Sequence, residues 1–207
     1  DVVEYKENGP DGKYQIRRLP GRPKAPDITL TRGLTGALKA NPALRLLVVG
    51  GRIPGYNEIS YNEFIAGIKQ AGVEGSVTLM DWQPLAAMQQ LYTQCDLGLS
   101  IDRFTYEAEL GSRTRLINFL AAGLPVASTV VTELSRELEE DGVLFPFELG
   151  NADSLTRVLL SAAEGTESRQ LRGSGCRDYI MAKYNAGQWG LELRHWISKP
   201  HVASDKV

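Results

Sequence analysis

Histidine, cysteine and long apolar runs are all scarce in this chain of 207 residues. The two histidines, His195 and His201, both lie near the C-terminus. A histidine-based catalytic triad or zinc site in the body of the fold is therefore excluded, and no metal is expected. The two cysteines, Cys95 and Cys176, follow no metal-ligand spacing, so we expect free thiols in a reducing cytoplasm.

The chain also has almost no net charge. The formal charge of −2 and the pI near 5.8 give no reason to expect nucleic acid or an anionic membrane as a partner. No run approaches the roughly 20 apolar residues of a transmembrane helix, and the acidic start is unlike a signal peptide. We expect a cytoplasmic protein that recognises any phosphate group locally. A peripheral membrane location through a longer protein is left open.

Apolar runs that alternate with helix-forming stretches predict an α/β fold. The strand candidates are 44–49, 77–80, 97–101, 126–128 and 142–147, with a further short one at 14–19. The run 44–49 (LRLLVV) is bounded by turn residues, which is typical of a strand buried on both faces of a parallel sheet. We predict a Rossmann-like open parallel sheet flanked by helices, with extra C-terminal helices.

The length fits one large domain with appendages, and not two full α/β domains. Residues 1–26 read as an N-terminal extension or linker, 27–165 as the Rossmann-like domain, and 166–207 as C-terminal helices and tail. Three helix starts are predicted from capping residues: Asp27, a capping box beginning at Ser60, and Asp153.

Ligands of an open parallel sheet bind beyond the carboxyl ends of the strands. The loops expected there are 50–52, 81–83, 102–112 and 129–133. The candidate ligand-binding residues in and just after them are Gly50, Gly51, Arg52, Trp82, Gln83, Asp102, Gly111, Ser112, Thr114, Arg115 and Asn118. Gly50 and Gly51 either admit a ligand to the backbone or form an ordinary turn, and Trp82 either stacks on a base or covers the sheet. Neither a G-x-G-x-x-G fingerprint nor a P-loop is present.

The stretch 106–128 (YEAELGSRTRLINFLAAGLPVAS) organises the rest. It places Ser112 as the N-cap of a helix whose first turn carries Arg113, Thr114 and Arg115. Cations at a helix N-terminus oppose the helix dipole, so two arginines there either hold a bound anion or are simply solvated. Glu107 and Glu109 are two apart, and on an extended loop only one of them can face the cleft.

This stretch resembles the C-terminal, donor-binding domain of GT-B glycosyltransferases of the group-1 (family 4) type. Residues 120–126 (LAAGLPV) match the family's pattern after its acidic loop, and GGRIPG at 50–55 and EAELGSRTR at 107–115 match a subset of members. The resemblance covers roughly 21–164. It implies a nucleotide diphosphate sugar as substrate, no cofactor, and an acceptor of unknown type.

The same resemblance implies roles for individual residues. Glu107 or Glu109 takes the acidic position near the donor sugar, and Arg113 lies with Thr114 near the diphosphate. Asn118 stands where many members have a glutamate that holds the ribose, and Leu110 stands eight residues before it, so the Glu-x7-Glu spacing is not kept. Arg22 and Arg32 are the only nearby candidates for the early diphosphate-binding cations.

GT-B enzymes have two such domains, and this chain has room for one. The chain is therefore expected to be either a fragment of a longer enzyme or a partner-dependent subunit, without the N-terminal acceptor domain, and to be inactive alone. The alternative is a non-catalytic Rossmann-like interaction module with a degenerate donor site, which the Asn118 replacement favours. An epimerase-like oxidoreductase is disfavoured by the absent dinucleotide fingerprint.

Overall fold

The computed structural model describes residues 2–8, 14–20, 27–51, 58–111, 113–184 and 186–198. Its strands are β1 (Val2–Asn8), β2 (Tyr14–Pro20), β3 (Leu46–Val49), β4 (Val77–Met80), β5 (Gly98–Ser100), β6 (Val126–Thr129) and β7 (Leu144–Phe147). Its helices are α1 (Asp27–Ala40), α2 (Glu58–Ala71), α3 (Leu85–Gln94), α4 (Tyr106–Leu110), α5 (Thr114–Ala122), α6 (Glu133–Glu140), α7 (Ala152–Glu164), α8 (Thr166–Lys183) and α9 (Ala186–Ser198). The predicted α/β class with parallel sheets and extra C-terminal helices is confirmed.

The chain divides into two compact units. The first comprises residues 1–80 with 150–156, and the second comprises 81–149 with 157–207. The division into segments 1–26, 27–165 and 166–207 that the sequence indicates stays a prediction.

The first unit contains two small sheets. Strands β1 and β2 form an antiparallel hairpin, and β3 pairs in parallel with β4. The sequence predicts β2 but not β1, whose alternating charged residues make it read as a polar extension. Helices α1 and α2 pack together over a small core of Leu38, Ile68 and Val73. Strand β3 is only half-buried along its whole length, so the expectation of burial on both faces is wrong.

The second unit is built on the parallel sheet β5-β6-β7. All four residues of the central strand β6 are buried, which requires cover on both faces because successive side chains point to opposite sides. Helices α5, α6 and α8 supply apolar side chains to the core of this unit. The fully buried members of that core are Leu116, Leu120, Val126, Leu138, Leu144 and Cys176.

Two helix starts differ from those that the capping patterns predict. Helix α2 begins at Glu58, so Ser60 lies inside it and does not cap it. Helix α7 begins at Ala152, and the side-chain oxygen of Asn151 accepts a hydrogen bond from the backbone N–H of Ser154 at 2.9 Å. Asparagine is as good an N-cap as aspartate, and here it lies two residues earlier than Asp153. The start of α1 at Asp27 agrees with the prediction.

In the parts of the chain that the structure describes, no helix combines the length and apolarity that crossing a membrane requires. Both cysteines are free, as the sequence indicates.

Candidate functional site

The candidate site lies in the second unit, beyond the carboxyl ends of β5 and β6. The loop after β5 is not extended, as the sequence reading assumes, but contains the short helix α4. Thr105 is its N-cap, because the Thr105 hydroxyl accepts from the backbone N–H of Ala108 at 3.1 Å. Ala108 is buried and anchors the helix. The sequence analysis does not predict α4, and the capping threonine is the signal by which it could have been found.

Gly111 ends α4 at a point of close backbone approach. A Cβ added at Gly111 would overlap the carbonyl oxygen of Glu107. Close packing against the backbone of Glu107 therefore explains why this residue is glycine, and no bound ligand is needed to explain it. The next residue, Ser112, lies outside the described residues.

Thr129, at the end of β6, ties that strand to the end of β5. Its hydroxyl accepts from the backbone N–H of Asp102 at 2.9 Å and donates to the backbone carbonyl of Asp102 at 3.1 Å. The side chain is almost fully buried. One hydroxyl thus satisfies both backbone groups of Asp102, where the β5 chain leaves the sheet. The sequence reading includes 129–133 as a loop but does not single out Thr129.

Asp102 and Arg113 form an ion pair at this edge. The Nε atom of Arg113 lies 2.9 Å from Oδ1 of Asp102, and both side chains are mostly buried. The Nε–H is not aligned with the carboxylate, and among the described residues this buried nitrogen has no hydrogen-bond partner. The pair is held by charge and proximity rather than by an aligned hydrogen bond.

Arg113 immediately precedes helix α5, which begins at Thr114, one residue later than predicted. The carboxylate of Asp102 supplies an anion within the protein for the cation that the sequence places at this helix start. An external anion is therefore not required to explain Arg113. Thr114, Arg115 and Asn118 all lie exposed on α5.

The two glutamates of α4 have different surroundings. An oxygen of Glu109 lies 3.5 Å from the Nη2 atom of Arg136, and that same nitrogen donates to the carbonyl of Val131 at 2.9 Å. Arg136 therefore links α4 to the loop before α6. Glu107 is exposed, and Leu110 is 82% exposed. The sequence reading did not identify Arg136, because its partners are distant in the chain.

The loop after β6 is fixed by its own capping box. The Thr132 hydroxyl accepts from the N–H of Ser135 at 3.0 Å, and the Ser135 hydroxyl accepts from the N–H of Thr132 at 2.9 Å. Both side chains are buried. This reciprocal cap orders the start of α6 and, with it, the position of Arg136.

Trp82 and Gln83 follow β4 and belong to the second unit. Trp82 is 67% exposed, so the reading in which it covers the end of the sheet is wrong. Gln83 donates to the backbone carbonyl of Asp81 at 3.1 Å, which turns its amide back onto its own loop. Phe104 and Tyr106 are also largely exposed in the loop after β5.

Gly50 and Gly51 belong to the first unit. Gly50 has φ of 105°, a left-handed conformation that favours glycine, and its N–H donates to the carbonyl of Met80 at 3.0 Å. A Cβ added at Gly51 would meet no atom within 4 Å. Arg22 and Arg52 lie outside the described residues, and Arg32 is exposed on α1.

A cleft of about 370 Å³ lies at the opposite, amino-terminal edge of the β5–β6 pair. Its arginines have local partners: Arg169 donates to the carbonyl of Ala163 at 2.8 Å, and Arg177 lies 3.5 Å from that of Ala122. These contacts satisfy carbonyls at the ends of α7 and α5. No group of His, Cys, Asp and Glu that could hold a metal occurs among the described residues.

Comparisons with known proteins identify the fold. No protein-family model and no curated protein matches the chain. Among solved structures, Anabaena HepE in complex with UDP is similar with a TM-score of 0.69 and 19% identity, over 84% of this chain and 45% of HepE. WaaG, a glycosyltransferase involved in lipopolysaccharide biosynthesis, gives a TM-score of 0.61 and 20% identity, over 77% of this chain and 40% of WaaG.

The C-terminal domain of LpcC, a group 1 glycosyl transferase family protein from Francisella tularensis, gives a TM-score of 0.64 and 15% identity. That match covers 79% of this chain and 82% of the LpcC domain. The chain therefore has the fold of the C-terminal-type domain of GT-B glycosyltransferases, as its central motif predicts. It spans less than half the length of HepE and WaaG.

Proposed function

We propose that this chain is the donor-binding domain of a glycosyltransferase that transfers a sugar from a nucleotide diphosphate sugar. The observation that carries the proposal is Arg113, held beside the start of α5 at the carboxyl edge of the parallel sheet. Ligands of this class of fold bind at that edge, and helix starts favour phosphate. HepE, a neighbour with the same fold, has structures with UDP and with UDP-glucose.

In this proposal the leaving diphosphate lies between Arg113 and the free N–H groups of the first turn of α5. Among the described residues, the Nη atoms of Arg113 donate no hydrogen bond, so they are available to phosphate oxygens. The guanidinium and the helix dipole would stabilise the negative charge that develops on the leaving group. No metal is required for that role. Glu107 or Glu109 would hold the sugar, and an oxygen of Glu109 lies 3.5 Å from Arg136.

We further propose that turnover requires an N-terminal acceptor domain. The support is the length of the neighbours, since this chain covers 45% of HepE and 40% of WaaG. The acceptor would then be bound mainly by residues outside this chain. A cytoplasmic location also stays a proposal.

The second candidate is a non-catalytic module with a degenerate donor site. It is favoured by Leu110 and Asn118, both exposed, where the family resemblance leads one to expect glutamates. Without those carboxylates, hydrogen bonding to sugar and ribose hydroxyls rests on an uncharged amide. The two candidates differ in whether the chain binds nucleotide at all.

The test is a calorimetric titration of the chain with UDP, GDP and their sugar conjugates, with and without EDTA. Saturable binding of one base, unchanged by EDTA, supports a metal-independent donor domain. Absence of binding at millimolar ligand, both here and in a longer protein that includes an N-terminal domain, supports the degenerate module.

The substitution Arg113→Ala tests the role of the cation. Loss of a charge-assisted hydrogen bond to phosphate costs about 1.5–3 kcal/mol, so the dissociation constant for the nucleotide diphosphate should rise about 10- to 100-fold. Arg177→Ala is the matched control, because it removes an exposed arginine at the other edge of the same sheet. Equal affinity of the Arg113→Ala protein and the parent would remove Arg113 from the site.

A further inference from the structure

The ion pair between Asp102 and Arg113 is connected to a third residue that neither the sequence motif nor the fold comparison identifies. Arg113 lies outside regular structure, between α4 and α5, with backbone angles that belong to neither helix. Its backbone is held by α5, because the Arg113 carbonyl accepts from the N–H of Ile117 at 3.1 Å. The position of its guanidinium depends on the group that the side chain contacts. That group is the carboxylate of Asp102, 2.9 Å from Nε.

Asp102 itself follows the last residues of β5 and has no strand partner of its own. Strand pairing between β5 and β6 ends with Ser100 opposite Ser128. Beyond that point, the backbone N–H and carbonyl of Asp102 both bond to the hydroxyl of Thr129, at 2.9 and 3.1 Å. The hydroxyl of Thr129 thus makes the hydrogen bonds to the Asp102 backbone that a longer β5–β6 strand pair would otherwise make.

We propose that Thr129 is a positioning residue of the donor site. It fixes the backbone of Asp102, so that the Asp102 carboxylate holds the guanidinium of Arg113 at the start of α5. Thr129 touches neither the donor nor the reacting atoms and acts through Asp102. The expected effect of Thr129 on ligand affinity rests on the proposed function. The contacts from Thr129 to Asp102 and from Asp102 to Arg113 do not depend on any ligand.

The hydroxyl is the part of Thr129 that the argument needs. Thr129 is buried with 1% of its surface exposed, and valine has nearly the same shape. Thr129→Val therefore keeps the packing and removes both hydrogen bonds to Asp102. Thr129→Ser keeps the hydroxyl and loses only a methyl group, so it is the matched rescue variant.

The binding experiment compares UDP with uridine, which lacks the diphosphate. We expect Thr129→Val to weaken UDP about 3- to 10-fold and to leave uridine within twofold, because only the diphosphate meets Arg113. Thr129→Ser should bind both as the parent does. Equal weakening of UDP and uridine by Thr129→Val would indicate general loss of structure and would overturn the positioning role.

The route through Asp102 is tested by a double-mutant cycle. Asp102→Asn keeps the backbone bonds to Thr129 but removes the charge that attracts Arg113. If Thr129 acts through that charge, Thr129→Val should have no further effect on UDP affinity in the Asp102→Asn background. Additive effects would contradict the proposed route.

A measurement without ligand separates this inference from the proposed function. In nitrogen-15 NMR spectra of the whole chain, the side-chain Nε–H of Arg113 and the amide of Asp102 should both exchange faster with water in Thr129→Val than in the parent or in Thr129→Ser. Unchanged exchange at Arg113 overturns the inference even if UDP binds. Faster exchange at both positions upholds the inference even in a chain that binds no nucleotide. The proposed function is refuted separately, if a longer protein that includes an N-terminal domain also binds none.

Discussion

Glu137 accepts two hydrogen bonds that join helix α6 to helix α8. The hydroxyl of Tyr179 and the ammonium group of Lys183 both donate to the same carboxylate oxygen, the latter at 2.7 Å. The bonds from Lys183 and then Tyr179 lower the pKa of Glu137. Burial, and next the bond to Glu137, raises the pKa of Tyr179. A single carboxylate thus links α6 to two residues of α8.

Glu137→Gln tests the pH dependence that follows. Because the folded-state pKa of Glu137 lies below its unfolded value, its contribution to stability is present above the unfolded value of about 4.5 and is lost as pH falls through the folded value. The parent should therefore be the more stable protein at pH 7, and the difference should shrink below about pH 4.5. Free energies of unfolding in urea between pH 3 and 7 measure it.

The control for that experiment is Glu140→Gln, which removes an exposed carboxylate from the last turn of the same helix. The free energy of unfolding of this variant should change with pH as that of the parent does. If the free energies of unfolding of the parent and of Glu137→Gln changed with pH in the same way, the Glu137 carboxylate would not contribute to the pH dependence of stability.

Helix α8 packs on the turn between α5 and β6 through small residues. A Cβ added at Gly173 would lie 2.8 Å from the carbonyl oxygen of Gly123, which is backbone and cannot rotate away. Three residues further on, the thiol of Cys176 lies 3.6 Å from the carbonyl of Leu124. Burial raises the pKa of that thiol to about 11. The close approach of α8 to the turn therefore depends on Gly173.

Two glycine substitutions on α8 separate packing from helix propensity. Glycine to alanine in a helix interior gains up to about 1 kcal/mol when space allows. At Gly175 the new Cβ would be 3.4 Å from Val143, an ordinary contact, so Gly175→Ala should be neutral or stabilising. Gly173→Ala should instead lose about 1–3 kcal/mol, because overpacking outweighs the propensity gain.

The measurement is urea-induced unfolding of both variants beside the parent. Gly175→Ala reports the propensity gain alone, so the difference between the two variants reports the packing cost. If Gly173→Ala were as stable as Gly175→Ala, the distance between α8 and the carbonyl of Gly123 would have to be larger than in the structure.

At the scale of the whole molecule, the last helix leaves much apolar surface in contact with water. Four side chains of α9 are more than half exposed: Leu191, Leu193, Trp196 and Ile197. Helix α9 also carries Trp189. The side chain of Trp189 lies outside the described residues.

Removal of residues 185–207 tests how much α9 contributes to the stability of this chain. Buried apolar surface stabilises by about 25 cal/mol per Å², and less than half of the surface of each of these four side chains is buried. The truncated chain should therefore keep most of its free energy of unfolding, measured in urea by circular dichroism. Loss of most of that free energy would mean that α9 belongs to the folded core.

The order of the elements was predictable because it depends on local signals. Apolar runs, prolines and glycines mark most strands to within a few residues, as at β4, β6 and β7. Helix starts were less predictable where several capping residues compete, as Asn151 does with Asp153. Helix α4 is not predicted for a different reason: although Glu, Ala and Leu are good helix formers, five residues are too few to show a helical period, and Thr105 is the only capping signal.

From the sequence alone, the α/β order is predictable, and the structure confirms it. The location of the candidate site after β5, at the start of α5, stays a prediction. The tertiary structure alone decided the partners of the charged residues there. Asp102 meets Thr129 and Glu109 meets Arg136, and each pair is separated by 27 residues. Such pairs cannot be predicted from spacing, because they exist only once β5 and β6 lie side by side in register. That pairing brings the two loops together and provides the cation before α5 with an anion from its own chain.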